Sequence, residues 1–185
     1  MPTFNVLIAT VGRPTLQRML DSLSPQLSES DCLTLVFDGN ATIPEFNLKD
    51  FKCKVQQYCE PVALGFWGHG IRNKYAPLLE KRDFVMHADD DDYYYPSVFP
   101  ELRTSCSDTN TLYIAKLRTP YGSILPDCSF IEVNHIGTPC GIIPYELNKK
   151  GTWLPRYGGD GLFYQQIAAL GNPIVHLSTL IYHVR

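Results

Sequence analysis

The 185-residue sequence has no apolar run long enough to cross a bilayer: residues 3–10 (TFNVLIAT) hold its first hydrophobic stretch, against the roughly 20 residues a spanning helix needs. No basic region precedes that stretch, so neither a signal peptide nor a membrane helix is expected. The six cysteines (Cys32, Cys53, Cys59, Cys106, Cys128, Cys140) form no CxxC pair and no regular framework, which argues against a zinc site or a disulfide scaffold. Buried free thiols in a reducing, cytoplasmic setting are the expectation. Positive charge is also scarce. With 16 Lys and Arg against 19 Asp and Glu, the net charge is −3, which argues against an extended nucleic-acid footprint, since that normally needs a basic face.

The phosphate-cradling glycine motifs are missing as well. Neither GxxxxGK[ST] nor a GxGxxG after a strand occurs, so a bound diphosphate would depend more heavily on a metal. The EF-hand spacing is absent because no glycine follows Asp92, which counts against a non-catalytic calcium-binding or sugar-binding module. No repeat, linker or low-complexity segment interrupts the chain. At this length a single domain over residues 1–185 is the expectation.

What is present is an ordinary globular composition, 44% hydrophobic and 19% charged, arranged as alternating strands and helices. Residues 3–10 read as a buried strand, and Leu16, Met19, Leu20 and Leu23 follow at helical spacing, with Pro14 suited to the first turn. Residues 32–37 (CLTLVF) form a second strand ending in the turn signal Asp38, Gly39, Asn40. A third strand is expected at 53–58, a helix through Ile71, Tyr75, Leu78 and Leu79, and a fourth strand at 84–88. This alternation predicts an α/β sandwich with a largely parallel sheet. Beyond Pro96 the pattern is mixed: a short helix, strands at 111–119 and 128–133, a helix at 160–170 and a last strand at 174–184.

Ligands of open parallel sheets bind beyond the carboxyl ends of the strands. Three polar clusters fall there: residues 10–13, 38–40 and 89–92. The third lies within FVMHADDDDYYYP, where four carboxylates stand in a row. Two unit charges about 4 Å apart repel by roughly 4 kcal/mol at the effective dielectric of a protein surface, so something must offset them. If the chain stays extended after Ala88, Asp89 and Asp91 share one face and Asp90 and Asp92 the other. A pair aimed at one place suits a hard divalent cation, which takes one or two carboxylates together with substrate phosphates. The plainer alternative is a solvated acidic turn with the tyrosines packed beneath it.

Several blocks, in order, resemble the glycosyltransferases of the GT-A fold, particularly family 2. VLIATVGRPTLQRMLDSL is similar to the opening strand and helix, LVFDGN to the second-strand aspartate, and LGFWGHGIRNKYAPLLEKRDFVMHADDDDYYYP to the stretch leading into the DxD motif. GGDGLFYQQIAALG resembles the helix carrying an ED pair, and LIYHVR the closing strand with its histidine. The resemblance spans nearly the whole chain. It implies a Rossmann-like, nucleotide-diphospho-sugar transferase three-layer sandwich with a mostly parallel central sheet and a mixed C-terminal half.

The same resemblance implies a nucleotide-sugar donor, UDP-linked, bound through its diphosphate to Mn2+ or Mg2+, with inverting transfer to a hydroxyl of a glycan, glycoconjugate or small-molecule acceptor. Thr10 and Arg13 match nucleotide-pocket positions, Asp38 the aspartate that contacts base or ribose, and Arg72 and Asn73 the opposite side of that pocket. Asp89 faces ribose or metal and Asp91 ligates metal, with Asp90 and Asp92 still candidates because the register stays open by one residue. Asp160 matches the catalytic base, although the preceding glutamate is replaced by Gly159. Without the resemblance, Asp160 reads as a first-turn acid of its helix. His183 matches a histidine that in some members completes the metal shell, while His87 is expected to point inward and His69 to lie on a mobile loop. Trp67, Trp153 and Tyr157 are candidates for a sugar-facing wall, with core packing as the alternative, and residues 151–161 for a loop that orders over donor. The nearest rival reading is a nucleotidyltransferase, but Gly12 stands alone where that class carries several glycines and a basic clamp.

Overall fold

A computed structural model describes residues 1–39 and 43–185; the Asn40 end of the expected turn lies outside the described residues. The first half follows the apolar spacing closely. Strand β1 (Phe4–Thr10) is buried throughout, α1 (Leu16–Leu23) turns Leu16, Met19, Leu20 and Leu23 inward, and β2 (Cys32–Asp38) is again fully buried. Then come β3 (Lys54–Glu60), α2 (His69–Tyr75) and β4 (Phe84–Asp89). The helix expected to run on to Leu79 stops at Tyr75 and tightens into a 3-10 turn, because Pro77 brings no N–H to continue the ladder.

Past β4 come β5 (Tyr93–Tyr94), α3 (Val98–Ser105), β6 (Leu112–Arg118), β7 (Ile124–Leu125), β8 (Gly141–Pro144), α4 (Tyr145–Asn148), α5 (Gly159–Ala168) and β9 (Ile174–His183). Together the described strands form one sheet in the order β3-β2-β1-β4-β8-β6-β9-β5, with β7 on β6. The first four are parallel; β8 runs antiparallel to β4 and β6. The strand expected at 128–133 does not form. That segment leaves Phe130 61% exposed, whereas the four-residue β8 buries Ile142 and Ile143 completely and takes the place between β4 and β6.

Alternation along β1 sorts the core into two layers. Phe4, Val6 and Ile8 join the α1 residues and α3's Val98, Phe99 and Leu102 on one face, and Leu7 and Ala9 meet α2's Ile71 and Tyr75 on the other. Helix α5 adds Phe163, Tyr164 and Ile167 to the larger cluster. The Tyr164 hydroxyl donates to the Thr138 carbonyl (2.6 Å) and accepts from the Gly141 N–H (3.0 Å), tying α5 to the start of β8. No described helix is long and apolar enough to cross a membrane.

Trp153, a candidate for the sugar wall, is core instead: it is 1% exposed and stacks on Phe163 at 4.2 Å. Trp153→Ala should lower the unfolding free energy by about 3–5 kcal/mol, as deletion of a buried aromatic does. Urea denaturation measures this, and a loss no greater than that of a surface substitution would show that the ring carries no packing.

Candidate functional site

Three parallel strands end side by side, and each delivers a polar group to the same crevice: Thr10 from β1, Asp38 from β2 and Asp89 from β4. Beyond those ends lies a cavity of about 590 Å³ whose lining includes Arg13, the four carboxylates from Asp89 to Asp92, and Asp160. This is where a doubly wound sheet places ligands, at the point where successive connections leave to opposite sides of a central strand.

The acidic run does not stay extended. It turns at Asp90 and Asp91, so the expected two-faced alternation is not formed, and the carboxylates take partners from other segments, two of them sharing Arg13. The reason is pairing with the β1 loop: Asp90, 4% exposed, accepts from Thr10 Oγ1 (2.6 Å) and from Arg13 Nη1 (3.0 Å). The same Arg13 nitrogen reaches Asp91 Oδ2 at 3.0 Å, and Arg18 donates to the Asp91 carbonyl. Asp92 accepts from the Arg185 backbone N–H (2.9 Å). Protein cations and backbone donors thus offset part of the repulsion that the sequence reading assigned to an ion. The offset is incomplete. Burial, then the neighbouring Asp89 and Asp90, holds the Asp91 carboxyl above its ordinary range despite Arg13, and burial pushes Asp92 up to about 7.

Arg72 lies beneath the run rather than in the cavity. Its side chain is fully buried, with Nη2 on Asp89 Oδ1 (2.6 Å) and Nη1 on the Trp67 carbonyl (2.7 Å), and Trp153 packs at 5.1 Å from the guanidinium carbon. Close approach demands glycine at 68: with φ +81°, a Cβ there would sit 2.6 Å from Ala9 Cβ and 3.1 Å from Arg72 Nη1. Asp38 is turned to a similar local task, accepting the backbone N–H groups of Leu64 (2.7 Å) and Gly65 (2.8 Å) while still lining the cavity.

Helix α2 also holds the opposite wall. Asn73 exchanges two 2.8 Å hydrogen bonds with the Trp153 backbone, and His69 Nδ1 donates to the Leu154 carbonyl at 2.7 Å. His69 is therefore the 5%-exposed first residue of a helix, and not part of a mobile loop. The segment expected to order over donor is anchored here through Trp153, while Tyr157 within it stays exposed. Asp160 follows in the first turn of α5; burial raises its carboxyl above the usual range, and its Oδ1 accepts the Gly161 N–H (2.8 Å). The glycine standing where a glutamate was expected has a physical cause. A Cβ on Gly159 would collide with the Leu154 carbonyl and lie 2.7 Å from His69 Cε1.

Of the residues proposed from sequence, Thr10, Arg13, Asp38, Asp89, Asp90, Asp91 and Asp160 are gathered around one cavity. Arg72 and Asn73 support its walls from behind. His183 is not brought to the lining: the Tyr93↔His183 pairing stacks its ring on Tyr93 at 5.0 Å, and Nδ1 bonds the Tyr95 hydroxyl at 2.9 Å. Among the described residues no group of three or more His, Cys, Asp or Glu side chains is arranged to hold a metal. Two carboxylates with partly exposed side chains, Asp89 (36%) and Asp91 (46%), do fit the sparser donor set of a cation that also takes phosphate oxygens. Sequence reasoning missed Arg156 and Arg185, which both line the cavity; proximity to Asp160 and the closing strand were their only signals.

The architecture, taken by itself, is that of the GT-A fold, a mixed α/β sandwich. Among solved structures, S. aureus TarS residues 1–349 superposes with a TM-score of 0.72 at 19% identity, covering 98% of this chain and 60% of that one. A TarS structure covered to 36% gives a TM-score of 0.73 at 20% identity, and the TarS 1–349 complex with UDP-GlcNAc gives 0.72 at 19%, with 99% of this chain and 58% of that one covered. The chain thus spans less than two thirds of the TarS chains it matches. No protein-family model and no curated protein matches it.

The Asp92 carboxyl yields a pH-dependent outcome. A folded pKa near 7 exceeds the ordinary carboxylate value, so the folded state keeps a proton that the unfolded chain releases, and stability falls as pH rises between about 4 and 7. Asn mimics the protonated acid. In chelator-containing buffer, Asp92→Asn should therefore melt several degrees above wild type at pH 8 and level with it at pH 4. A difference independent of pH would mean that Asp92 is ionised throughout.

Proposed function

We propose that this chain is a metal-dependent, inverting glycosyltransferase that moves a sugar from a nucleoside-diphosphate donor, a UDP-sugar, to an acceptor hydroxyl. The observation that carries the reading is the convergence of Thr10, Asp38 and the Asp89–Asp91 carboxylates from three adjacent strand ends on one cavity with Asp160 across it. The likeness to TarS structures solved with UDP and with UDP-GlcNAc supports it. A cytoplasmic setting belongs to the same reading.

Asp160 is the base. The attacking hydroxyl gives its proton to this carboxylate as the acceptor oxygen bonds the anomeric carbon, and the bond from that carbon to the diphosphate breaks with its electrons leaving on phosphate. A single displacement of this kind inverts the centre. Burial raises the Asp160 carboxyl, which suits proton transfer nearer neutral pH than a free aspartate allows. Thr10 and Arg13 fix Asp90 and so shape the nucleotide side, and Arg72 holds Asp89 in place. Asp89 and Asp91 would hold Mn2+ or Mg2+, which supplies positive charge for the leaving diphosphate.

Two variants separate the roles. Asp91→Ala should weaken Mn2+-dependent UDP binding by at least about 10–100-fold in calorimetry, the cost of losing even a partner that only orients a metal's ligands. Asp160→Asn should bind UDP as wild type does and lose on the order of 100-fold or more in transfer. Turnover retained in Asp160→Asn would remove it from the role of base, and UDP binding indifferent to Mn2+ and to Asp91 would remove the metal from the reading.

A further inference from the structure

Two large aromatics stand open at the cavity mouth: Trp67 is 69% exposed and Tyr157 80%, and both belong to the lining. The placement of Trp67 is costly. Phe66 and Trp67 both adopt left-handed backbone, at φ 54° and 53°, a region that bulky residues rarely occupy and that persists only where the surroundings enforce it. They do so here through Asp38, which holds the N–H groups of Leu64 and Gly65, and Arg72, which holds the Trp67 carbonyl. The fold therefore fixes an indole in solvent rather than letting it bury.

Beneath that indole lies an unused polar atom. A carbonyl can only accept, so the bond to Leu154 places the His69 proton on Nδ1 and leaves the lone pair of the neutral ring on Nε2. His69 is 95% buried by its 5% exposure, yet Nε2 has no partner among the described residues and is not sealed from solvent. Its ring meets Trp67 edge-on at 6.3 Å and Trp153 at 5.5 Å, and burial keeps the imidazole below its ordinary pKa and hence neutral at pH 7. The indole is thus joined to the corner that also contains Gly159 and Asp160.

We propose that this corner is a subsite for a pyranose ring of the acceptor, with the Trp67 indole against the apolar C–H face of the sugar, Tyr157 flanking it, and His69 Nε2 accepting a hydroxyl next to the one that Asp160 deprotonates. The proposal rests on the glycosyltransferase reading and deepens it by naming the acceptor as a cyclic sugar. An indole face matches a pyranose face and has no counterpart on an open-chain polyol. A neutral imidazole nitrogen adds one directed acceptor, which rejects ligands lacking a hydroxyl at that point.

The chain has two tryptophans, and Trp153 is 1% exposed, so acrylamide quenching of the native protein reports on Trp67. Saturating methyl pyranosides (gluco, galacto, manno and N-acetylglucosamine forms tried in turn) should protect the indole, and sorbitol and glycerol should not. His69→Asn keeps an amide donor for Leu154 but lacks Nε2, and should weaken the protecting pyranoside about tenfold, as loss of one hydrogen bond does. Tyr157→Ala, at an exposed position that carries no folding risk, should weaken it too. Protection by no pyranoside, equal protection by sorbitol, or protection by UDP alone would overturn the subsite, the last by giving Trp67 to the donor. Calorimetry of UDP with Mn2+ on the same protein keeps the two readings apart: UDP bound without pyranoside protection sinks only the subsite, and pyranoside protection without UDP binding supports the subsite and sinks the donor assignment.

Discussion

The buried guanidinium of Arg72 is the constraint around which the site is organised. A charge removed from water must find compensation at once, and Arg72 finds it in the Asp89 carboxylate and in the carbonyls of Ala88 and Trp67. Those bonds reach the end of β4 and the loop before α2 together, so the first carboxylate of the acidic run and the indole at the cavity mouth share one anchor, with Asp38 as a second anchor for the loop. Its Nε remains buried without a partner, which marks how far geometry has been subordinated to holding those two elements.

Helix α2 extends that logic. Within five residues it presents His69, Arg72 and Asn73, which reach Leu154, Asp89 and the Trp153 backbone respectively. A seven-residue helix therefore clamps the carboxylate rim on one side and the approach to Asp160 on the other. The glycines follow from this crowding. Gly68 lets Ala9 and Arg72 approach, and Gly159 leaves room for His69 and Leu154. A departure from the ED pattern that looks like a loss in the sequence is, in the structure, space given to an imidazole.

The acidic run illustrates both the reach and the limit of reading charge from sequence. Its position after an apolar strand marked a rim of the cavity, because ligand crevices of open parallel sheets lie beyond carboxyl strand ends at a switch point. Its geometry was not legible. Periodicity assumes continued extension, whereas the chain turns at Asp90 to meet Thr10 and Arg13, nearly 80 residues away in sequence. The strand at 141–144 escaped notice for a related reason: four residues are too few to display a period, and only the vacancy between β4 and β6 makes them a strand. Residues 128–133, expected as a strand, pair with no strand among the described residues.

By itself the sequence determined the two-layered packing of β1, the face of α1, the parallel first half and the cluster of carboxylates at its edge, because these depend on local periodicity and on the solvation of charge. Only the tertiary structure decided which cation meets which carboxylate, that Trp153 is core while Trp67 is held in solvent, that His183 turns to Tyr93 and Tyr95, and that His69 stands beside Asp160. Those outcomes depend on contacts between segments far apart in the chain, where the energy of a buried ion pair or a packed ring outweighs any preference that neighbouring residues express.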